Sequence, residues 1–479
     1  MDKNTRQLVW LRSDLRSMDN PALFHGSEAG SVLCVYFLFP GQWKEHHESP
    51  SKLHFRLNNL ASLQDTLSLL NIPLICQVLD RFSDTPTELI ALSRTLNCQG
   101  VWFNNEYGIN EQRRDDAVEK ACQAKGIPCH RFEDQVLLPP GSLLNGQGEF
   151  FKVFSPFKRA LLRRYNVFSI EPLPVPEKQA ALPIRHPVSQ KIPVHLYEPT
   201  VENLAIWWPA GEKEAHQRLD AFLDASVEDY QNGRDFPALR GTSTLSPWLA
   251  AGVISIRLCL YALLKANHGK MNVSNSGMAC WMDELIWREF YRHVMVGFPR
   301  VSMNRAFVTK TERLDWGKNT RLLDAWKEGK TGYPFVDAGM RMLKQTGWMH
   351  NRLRMVTAMF LSKNLMLDWR LGEQYFMEQL VDGDFASNNG GWQWSASTGT
   401  DAAPYFRMFN PVAQSRKFDP GGDCIRRWIP ELAHLDKSVI HEPYAKTGVS
   451  VLDYPEPIVD CKASRRRAMD AFSALKEER

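Results

Sequence analysis

The first 133 residues alternate short apolar runs with helical patterns, and this alternation constrains the fold more than any other feature. Leucines between positions 53 and 70 recur at helical spacing, and 110–125 has the pattern of a second helix. Alternating strands and helices predict a parallel sheet covered by helices on both faces. The apolar runs that we predict to be strands are 8–11, 32–39, 74–79, 101–103 and 129–132.

A proline-rich segment separates this region from the rest of the chain. Prolines stand at 172, 174, 176, 183, 187, 193 and 199. Because proline lacks a backbone donor and fixes φ, we predict a semi-rigid connector there. Beyond it the pattern is almost wholly helical. At 479 residues the chain also exceeds the roughly 250–300 residues at which single cores stop growing. The predicted class is α/β + α, with a doubly wound parallel-sheet domain over 1–134, a connector over 135–205 and an all-helical domain over 206–479.

Composition excludes several classes of protein. The nine cysteines form no CxxC pair, so we predict reduced thiols and no metal site. The longest apolar run, 32–39, is far shorter than the ~20 residues of a membrane helix, and the N-terminus lacks a signal core. We therefore expect a cytoplasmic protein without a membrane partner. The net charge of +4 permits a local basic patch for a polyanion without requiring one. Nine of the 15 tryptophans lie between 281 and 428, which fits either a packed core or a ring-lined cavity.

No GxGxxG motif follows the first predicted strand, which argues against a dinucleotide bound there in the Rossmann manner. Arg12, Asp14 and Arg16 follow that strand instead, and we predict a structural ion-pair cluster.

Residues 381–411 concentrate hydrogen-bonding groups, glycines and flat rings. Asp382 and Asp384 precede an Asn-Asn-Gly-Gly run, which is followed by Trp392 and Trp394. Apolar residues do not recur every three or four positions, as they would in a core helix. The composition suits a wall around a large, planar, polar ligand. An irregular polar loop over the core is the alternative.

Four motifs resemble signatures of the photolyase/cryptochrome family, in the family's order. They are WLRSDLRSMDNPAL at 10–23, WMDELIWREFYRH at 281–293, TGYPFVDAGMRMLKQTGWMHNRLRM at 331–355 and DGDFASNNGGWQWSASTGTDAAPYFRMFNP at 382–411. The resemblance covers almost the whole chain and is closest to the bacterial class I cyclobutane pyrimidine dimer photolyases. It implies an α/β antenna domain and a helical domain that binds FAD.

The resemblance assigns a set of residues to FAD. Hydroxyl residues at 242–246 precede an apolar helical run, which by itself indicates either an anion site or a plain N-cap. In the family this segment cradles the flavin pyrophosphate. Asn388 matches the residue facing the redox-active ring nitrogen, where a neutral amide suits reduced flavin. The FAD residues so implied are Tyr230, Thr242, Ser243, Thr244, Leu245, Ser246, Trp281, Arg354, Asp382, Asp384 and Asn388.

A second set is assigned to DNA and its lesion. Glu284 and Trp287 share a helix face, as do Asn351 and Met355. Glu284 and Arg288 at i,i+4 also fit an ordinary surface pair. In the family the carboxylate and the tryptophan contact a pyrimidine dimer, and (6-4) enzymes have Gln in place of Glu284 and histidines in place of Asn351 and Met355. The DNA and lesion residues so implied, together with candidate phosphate contacts, are Arg234, Glu284, Trp287, Arg288, Tyr291, Asn351, Arg352, Met355, Trp394 and Arg407.

Two further features depend on the resemblance. Trp316, Trp369 and Trp392 match a chain of tryptophans that carries an electron to the flavin, although core packing would explain each one separately. Asn110 and Glu111 look like an ordinary Asn cap with an acidic first turn. In folate-carrying members they hold a methenyltetrahydrofolate antenna, whose Cys-Lys contact is replaced here by Ser302-Met303.

The predicted function is a light-driven carbon–carbon lyase that repairs cyclobutane pyrimidine dimers in DNA. Photoexcited reduced FAD passes an electron to the flipped-out lesion, and we expect a monomer. A blue-light receptor of cryptochrome type is the alternative; the chain ends soon after the helical domain, whereas many cryptochromes carry a long tail. A bare nucleic-acid-binding module leaves the flavin signature unexplained.

Overall fold

The computed structural model describes residues 5–164, 170–183, 191–447 and 453–477. The chain divides into two compact units. Unit 1 comprises Met1–Pro199, Asn203–Val227 and Ser243–Pro299. Unit 2 comprises Thr200–Glu202, Glu228–Thr242 and Arg300–Arg479. Unit 1 thus includes part of the region assigned above to the helical domain, and the boundaries of independently folding domains stay a prediction.

A five-stranded parallel sheet organises unit 1, in the order β3-β2-β1-β4-β5. All five predicted strands are present, and the α/β + α class is confirmed. In the central strand Val9 pairs with Cys34 on one side and Trp102 on the other. Val9 and Cys34 are fully buried because helices cover both faces of the sheet. The strands are β1 Arg6–Leu11, β2 Ser31–Leu38, β3 Leu74–Val78, β4 Cys98–Asn104 and β5 Cys129–Phe132.

The α-helices are, in chain order, α1 Pro21–Ala29, α2 Pro40–Glu45, α3 Pro50–Leu69, α4 Thr85–Thr95, α5 Ile109–Ala124, α6 Phe154–Arg164, α7 Leu204–Trp207, α8 Glu212–Ala225, α9 Tyr230–Gly233, α10 Ser246–Ala251, α11 Ile256–Ala266, α12 Ser276–Gly297, α13 Thr320–Glu328, α14 Pro334–Thr346, α15 Asn351–Met359, α16 Trp369–Gln379, α17 Phe385–Ala396, α18 Pro411–Phe418, α19 Asp423–Trp428, α20 Pro443–Thr447 and α21 Cys461–Glu477. Short 3₁₀ segments occur at Phe82–Asp84, Val194–Leu196, Pro299–Met303, Thr309–Arg313 and Pro430–Leu432, and a π-helix at Phe360–Asn364. No helix of the described residues is long and apolar enough to cross a bilayer.

The predicted ion-pair cluster lies just beyond β1. Arg12 binds Asp115 at 2.9 Å, and Arg16 binds Asp134. Asp14 instead accepts a hydrogen bond from the backbone nitrogen of Arg12 at 2.6 Å. Burial, with a smaller contribution from nearby Asp134, raises the pKa of Asp14 to about 6. The cluster is therefore structural, as predicted, but its arginines pair with carboxylates more than 100 residues away.

The predicted connector is only partly described, because 165–169 and 184–190 lie outside the described residues. Its described part from 171 to 183 contains no helix or strand. The Gln179 side chain accepts from the Val32 backbone nitrogen at 2.8 Å and donates to the Val32 carbonyl at 3.0 Å. Because this side chain bonds to the start of β2, the segment is anchored within unit 1.

Unit 2 is built around a helical core containing Trp326, Trp369 and Trp392. Helix α14 contributes six of its buried side chains, and α15, α16, α17 and α19 contribute two or three each. Trp326 donates through Nε1 to the Thr357 carbonyl at 3.1 Å, and its ring lies edge-on to Trp392 at 5.9 Å. This cluster supports the residues assigned to the cofactor in unit 2.

Candidate active site

The stretch 381–411 contains a helix that the sequence analysis did not predict. Asp384 caps α17 by accepting from the Ser387 nitrogen at 2.9 Å. Its buried face carries Asn389 and Gln393 beside Trp392, and Gln393 donates to Asn389 at 2.8 Å. Because amide side chains occupy buried positions of α17, its apolar residues do not recur every three or four positions. The loop interpretation is therefore wrong for 385–396.

An ion pair connects α15 to the residue before this helix. Arg354 donates through Nη2 to Asp382 Oδ2 at 2.7 Å and through Nε to the Met349 carbonyl at 2.7 Å. The side chain of Asp382 is only 2% exposed, and its Oδ1 has no hydrogen-bond partner among the described residues. An unpaired buried carboxylate oxygen needs a donor. Two residues that the resemblance assigns to FAD thus pair with each other, and an acceptor is available to a ligand.

Asn388 is held by α16. Its Nδ2 donates to the Glu373 carbonyl at 3.0 Å and to the Glu373 carboxyl at 3.2 Å. Burial raises the pKa of Glu373 to about 7, and the hydrogen bond from Asn388 opposes that rise. Glu373 was missed by the sequence analysis. Its position four residues after Trp369, on the same helix face, was the signal that could have found it.

The three tryptophans of the predicted electron chain belong to one cluster. Trp392 and Trp369 are 2% and 0% exposed, whereas Trp316 is partly buried at the edge of the same core. The indole nitrogens of Trp392 and Trp369 have no hydrogen-bond partner among the described residues. The three side chains thus run from two buried tryptophans to one that is partly exposed. An electron route from the surface needs such a series, and ordinary core packing would also produce it.

Predicted lesion and phosphate residues of unit 2 cluster around the start of α15. Asn351 Nδ2 lies 3.8 Å from Met355 Sδ, so the two share a face as predicted. Arg352 binds Asp235 at 2.6 Å and stacks on the Phe418 ring at 4.1 Å. Its guanidinium is therefore already engaged, and a phosphate would have to share it with Asp235.

Three more predicted DNA and lesion residues, Arg234, Arg407 and Trp394, belong to unit 2. Arg234 lies over the Tyr230 ring at 5.4 Å. Arg407 is exposed and follows Phe406, which is 54% exposed. Trp394 is half-buried at the end of α17. Arg407 is thus accessible to DNA.

The hydroxyl segment 242–246 does not cap α10. The helix begins at Ser246, and its N-cap residue, Leu245, makes no side-chain cap. Thr244 has a left-handed backbone, with φ of 49°, and its hydroxyl accepts from Arg218 at 2.7 Å. The plain N-cap alternative is wrong for Thr244, because its side chain is turned to Arg218. Thr242 belongs to unit 2, and Ser243 to Ser246 belong to unit 1.

Helix α12 of unit 1 carries the remaining predicted residues. Trp281 is buried against Phe222, with ring centres 5.1 Å apart. Trp287 stacks on Phe154 at 3.8 Å with an interplanar angle of 4°, and it also contacts Tyr291. Phe154 was missed, since no spacing rule connects residues so far apart. One ring face of Trp287 is therefore covered within unit 1.

Glu284 and Arg288 lie one turn apart on α12, and both are half-buried. Arg288 donates to the backbone carbonyls of Gln135 at 2.9 Å and Leu249 at 3.2 Å. These two hydrogen bonds hold Arg288 within unit 1 and use part of its donor capacity, and its contact with DNA stays a prediction.

The predicted antenna residues lie at the start of α5. Gly108, not Asn110, is the N-cap, so the interpretation of Asn110 as a cap is wrong. Asn110 Nδ2 lies 3.1 Å from His46 Nε2, which also contacts Gln42 at 3.0 Å. Burial raises the pKa of Glu111. The cluster offers amide, imidazole and carboxyl groups to a polar ligand.

Comparisons with known proteins agree with this geometry. The family profile described as the FAD binding domain of DNA photolyase matches residues 281–474, and the DNA photolyase profile matches 7–177. The deoxyribodipyrimidine photo-lyase of Vibrio cholerae is 44% identical over 477 residues, spanning 98% of this chain and 100% of that protein.

Solved structures give the same result. A class III photolyase from Agrobacterium tumefaciens has a TM-score of 0.88 and 34% identity, with 100% of this chain and 99% of that chain covered. A cryptochrome from Synechocystis sp. PCC6803 has a TM-score of 0.86 and 27% identity, with 98% and 100% covered.

Proposed function

This chain belongs to the DNA photolyase family, and we propose residue roles for its light-driven splitting of cyclobutane pyrimidine dimers in DNA. The activity is that of a deoxyribodipyrimidine photo-lyase, and the cofactor is FAD. Bound reduced FAD supplies the light absorption and the electron; the side chains bind, orient and exclude water. The observation that carries the proposal is the buried Asp382 carboxylate, with one oxygen on Arg354 and the other without a hydrogen-bond partner in the part of the chain that the structure describes.

In unit 2, Asp382 Oδ1 would accept a hydrogen bond from the flavin ring, and Arg354 holds the Asp382 carboxylate in place. Asn388 presents its amide oxygen to the ring, because its nitrogen is occupied by Glu373. Asp384 holds the start of α17, so that Asn388 is correctly placed. Tyr230 and Thr242 are further FAD contacts of this unit. In unit 1, Ser243, Thr244, Leu245, Ser246 and Trp281 are assigned to FAD.

Trp392, Trp369 and Trp316 carry an electron from the surface toward the cofactor when the flavin must be reduced. In unit 1, Glu284 and Trp287 are assigned to the lesion once it is turned out of the duplex. In unit 2, Asn351, Met355 and Trp394 are assigned to it. Tyr291 supports Trp287 by contact, with ring centres 5.5 Å apart. Arg234, Arg352 and Arg407 are the proposed phosphate contacts.

The cryptochrome alternative is less well supported. The photo-lyase relative is 44% identical over nearly the whole chain, whereas the cryptochrome structure is 27% identical. The deciding experiment incubates FAD-loaded protein with an oligonucleotide carrying a cyclobutane thymine dimer, in blue light and in the dark. Restoration of the two thymines in light alone is the expected result. Binding of the oligonucleotide without repair would support a photoreceptor instead.

Three finer proposals accompany this function. Asn110 and Glu111 hold a methenyltetrahydrofolate antenna, supported by the amide and carboxyl groups at the start of α5. The expected sign is an extra near-ultraviolet absorption band that Asn110→Ala abolishes while FAD content stays unchanged. We also propose that the protein acts as a monomer in the cytoplasm. Light scattering of the FAD-loaded protein at two concentrations tests the first of these, and fractionation of its native cells tests the second.

A further inference from the structure

A fully buried lysine in unit 2 has no part in the roles given above. Lys363 is 0% exposed and lies in the π-helix Phe360–Asn364 that continues α15. Burying an ammonium group is costly unless a partner compensates for the lost water. π-Helical segments are rare and occur frequently at functional sites. A lysine retained at such a position needs an explanation beyond packing.

The partner of Lys363 is the backbone of a proposed phosphate contact. Nζ lies 3.5 Å from the carbonyl oxygen of Arg407, to which it donates. Burial lowers the pKa of Lys363 to about 7, and no charged side chain among the described residues offsets its loss of water. The amine donates whether or not it is protonated, and the long hydrogen bond to the Arg407 carbonyl is the polar contact that it has in the described part of the chain.

The segment that carries Arg407 is attached to the same place by a second contact. Phe409 donates its backbone nitrogen to Met359 Sδ at 3.2 Å, and Met359 is the last residue of α15. We call residues 404–409 the arginine loop. Both of these anchors lie at the junction of α15 and the π-helix.

The π-helix is itself fixed on its other side. Asn364 donates to Ser464 at 3.1 Å, and its carbonyl accepts from Arg467 at 2.8 Å, both on α21. At the start of the arginine loop, Tyr405 stacks on Phe472 of the same helix, with ring centres 5.7 Å apart. Because these contacts attach the π-helix to α21, Lys363 can restrain the peptide of Arg407.

We propose that Lys363 is a positioning residue for DNA, whose buried amine donates to the Arg407 carbonyl and holds it so that the Arg407 guanidinium faces a phosphate. This inference rests on the proposed function, in which Arg407 contacts DNA. Without Lys363, the arginine loop keeps its sequence but loses the restraint on that peptide. Arg407 then spends part of its time away from the phosphate, and its contribution to affinity falls.

The test measures binding of the FAD-loaded protein to a duplex containing a thymine dimer, in the dark and at several salt concentrations. The variants are Lys363→Met, Arg407→Ala and the double variant. Lys363→Met keeps the length of the side chain and removes its charge. We expect Arg407→Ala to bind about tenfold more weakly, the loss expected for one charged hydrogen bond, and to reduce the salt slope by ~0.9 log unit per tenfold salt, or one phosphate contact. Lys363→Met should show a smaller loss of affinity and a smaller reduction of the slope, because it displaces Arg407 only part of the time.

The double variant separates positioning from general damage. If Lys363 acts through Arg407, the double variant binds no more weakly than Arg407→Ala alone. Lys330→Met is the matched control, because Lys330 is 59% exposed and pairs with Glu328 on the surface; it should bind normally. Losses that add in the double variant, or an unchanged salt slope in Lys363→Met, would overturn the inference.

Two further outcomes remain distinguishable. If Lys363→Met loses FAD, Lys363→Leu, which also lacks a donor, takes its place in the same cycle. If the unmodified protein does not prefer the damaged duplex, the proposed function itself is wrong, and the positioning role falls with it. Normal binding by the unmodified protein, weakened by Arg407→Ala but unaffected by Lys363→Met, would refute the positioning role alone.

Discussion

The side-chain amide of Asn388 donates to the buried carboxyl group of Glu373 at 3.2 Å and to the backbone carbonyl of the same residue at 3.0 Å. This double contact fixes which atom of the amide a ligand meets, because the nitrogen is occupied. The amide oxygen is then directed to the cofactor as an acceptor. A carboxyl group that titrates near neutral pH thus lies directly behind the residue proposed to contact the flavin.

Glu373→Gln should make the stability of the protein less dependent on pH. Burial raises the pKa of Glu373 from 4.5 to about 7, so the folded chain binds this proton more tightly than the unfolded chain. The free energy of unfolding therefore falls as pH rises between these two values, by up to about 3 kcal/mol. Glutamine remains neutral and still accepts from Asn388.

The measurement is urea unfolding at pH 5 and pH 8, followed by tryptophan fluorescence. The difference between the two pH values should shrink in Glu373→Gln. Glu378→Gln, on the exposed side of the same helix, is the control and should behave like the unmodified protein. An equal pH dependence in Glu373→Gln and the unmodified protein would show that the carboxyl group is ionised throughout.

Trp392→Phe should block light-driven reduction of bound oxidised FAD while leaving binding to damaged DNA nearly unchanged. Phenylalanine preserves most of the packing but is much harder to oxidise than tryptophan. Loss of the blue absorbance of the flavin under illumination with an external reductant is the signal to follow. Trp326→Phe is the matched control, since Trp326 is 0% exposed in the same cluster and lies 5.9 Å from Trp392. Normal photoreduction in Trp392→Phe would show that Trp392 only packs in the core and carries no electron.

Asp382→Asn should weaken FAD binding by about 2 kcal/mol, or roughly thirtyfold, because the proposed acceptor of the flavin hydrogen bond loses its charge. The variant also weakens the contact with Arg354, which holds this side chain in place. Flavin fluorescence during titration of stripped protein gives the dissociation constant. Glu442→Gln disrupts the surface pair with Arg416, whose side chains are 44% and 49% exposed, and should leave FAD affinity unchanged.

Gly372→Ala should destabilise the protein, although alanine normally favours a helix over glycine by about 1 kcal/mol. A methyl group at Gly372 would overlap the ring of Trp392. Overpacking of this kind costs about 1–3 kcal/mol and displaces the ring. Gly391→Ala, in α17, adds its methyl group to open space and should be neutral or stabilising. Thermal unfolding of both variants decides, and equal melting temperatures would show that Trp392 moves aside freely.

Much of the fold follows from local sequence pattern. Strands β1, β2 and β4 are largely buried, whereas β5, with the sequence CHRF, is only half-buried; all five were nevertheless predictable to within three residues. Helix α17 was not predictable in this way, because Asn389 and Gln393 occupy its buried face and satisfy each other at 2.8 Å. Polar groups that pair inside a core remove the apolar period on which such predictions depend.

Partnerships across long stretches of chain were also beyond the sequence. Arg352 was predicted to face solvent or phosphate, yet it binds Asp235, which is 117 positions earlier. Arg288 was predicted to contact DNA, which stays a prediction, but its hydrogen bonds to the carbonyls of Gln135 and Leu249 were not foreseen. Both arginines lie on predictable helices; what could not be predicted was which backbone or carboxylate the fold brings to them.

The choice of lesion is the remaining prediction, and it depends on the groups available to move a proton. Repair of (6-4) products requires proton transfer, for which histidine is the usual residue. Asn351 and Met355 occupy the places of the two histidines, and neither transfers protons. His350, next to Asn351, does not replace them, because it is 2% exposed and burial lowers its pKa to about 4. Its Nδ1 also accepts from the Arg352 nitrogen at 3.2 Å.

A cyclobutane dimer, by contrast, needs an electron, an apolar wall and hydrogen bonds to its carbonyl and imide groups, which Glu284 and Asn351 are suited to make. We therefore expect illuminated, FAD-loaded protein to repair an oligonucleotide carrying a cyclobutane thymine dimer and to leave one carrying a (6-4) product unchanged. Glu284→Ala should lower dimer repair about tenfold, the loss expected for a hydrogen bond to a charged group, with FAD content unaltered. Glu284→Gln introduces the residue type of the (6-4) enzymes but not their histidines, so this variant should gain no (6-4) repair. Chromatography of both oligonucleotides after illumination supplies the answer, and repair of the (6-4) product alone would show that these side chains do not select the lesion.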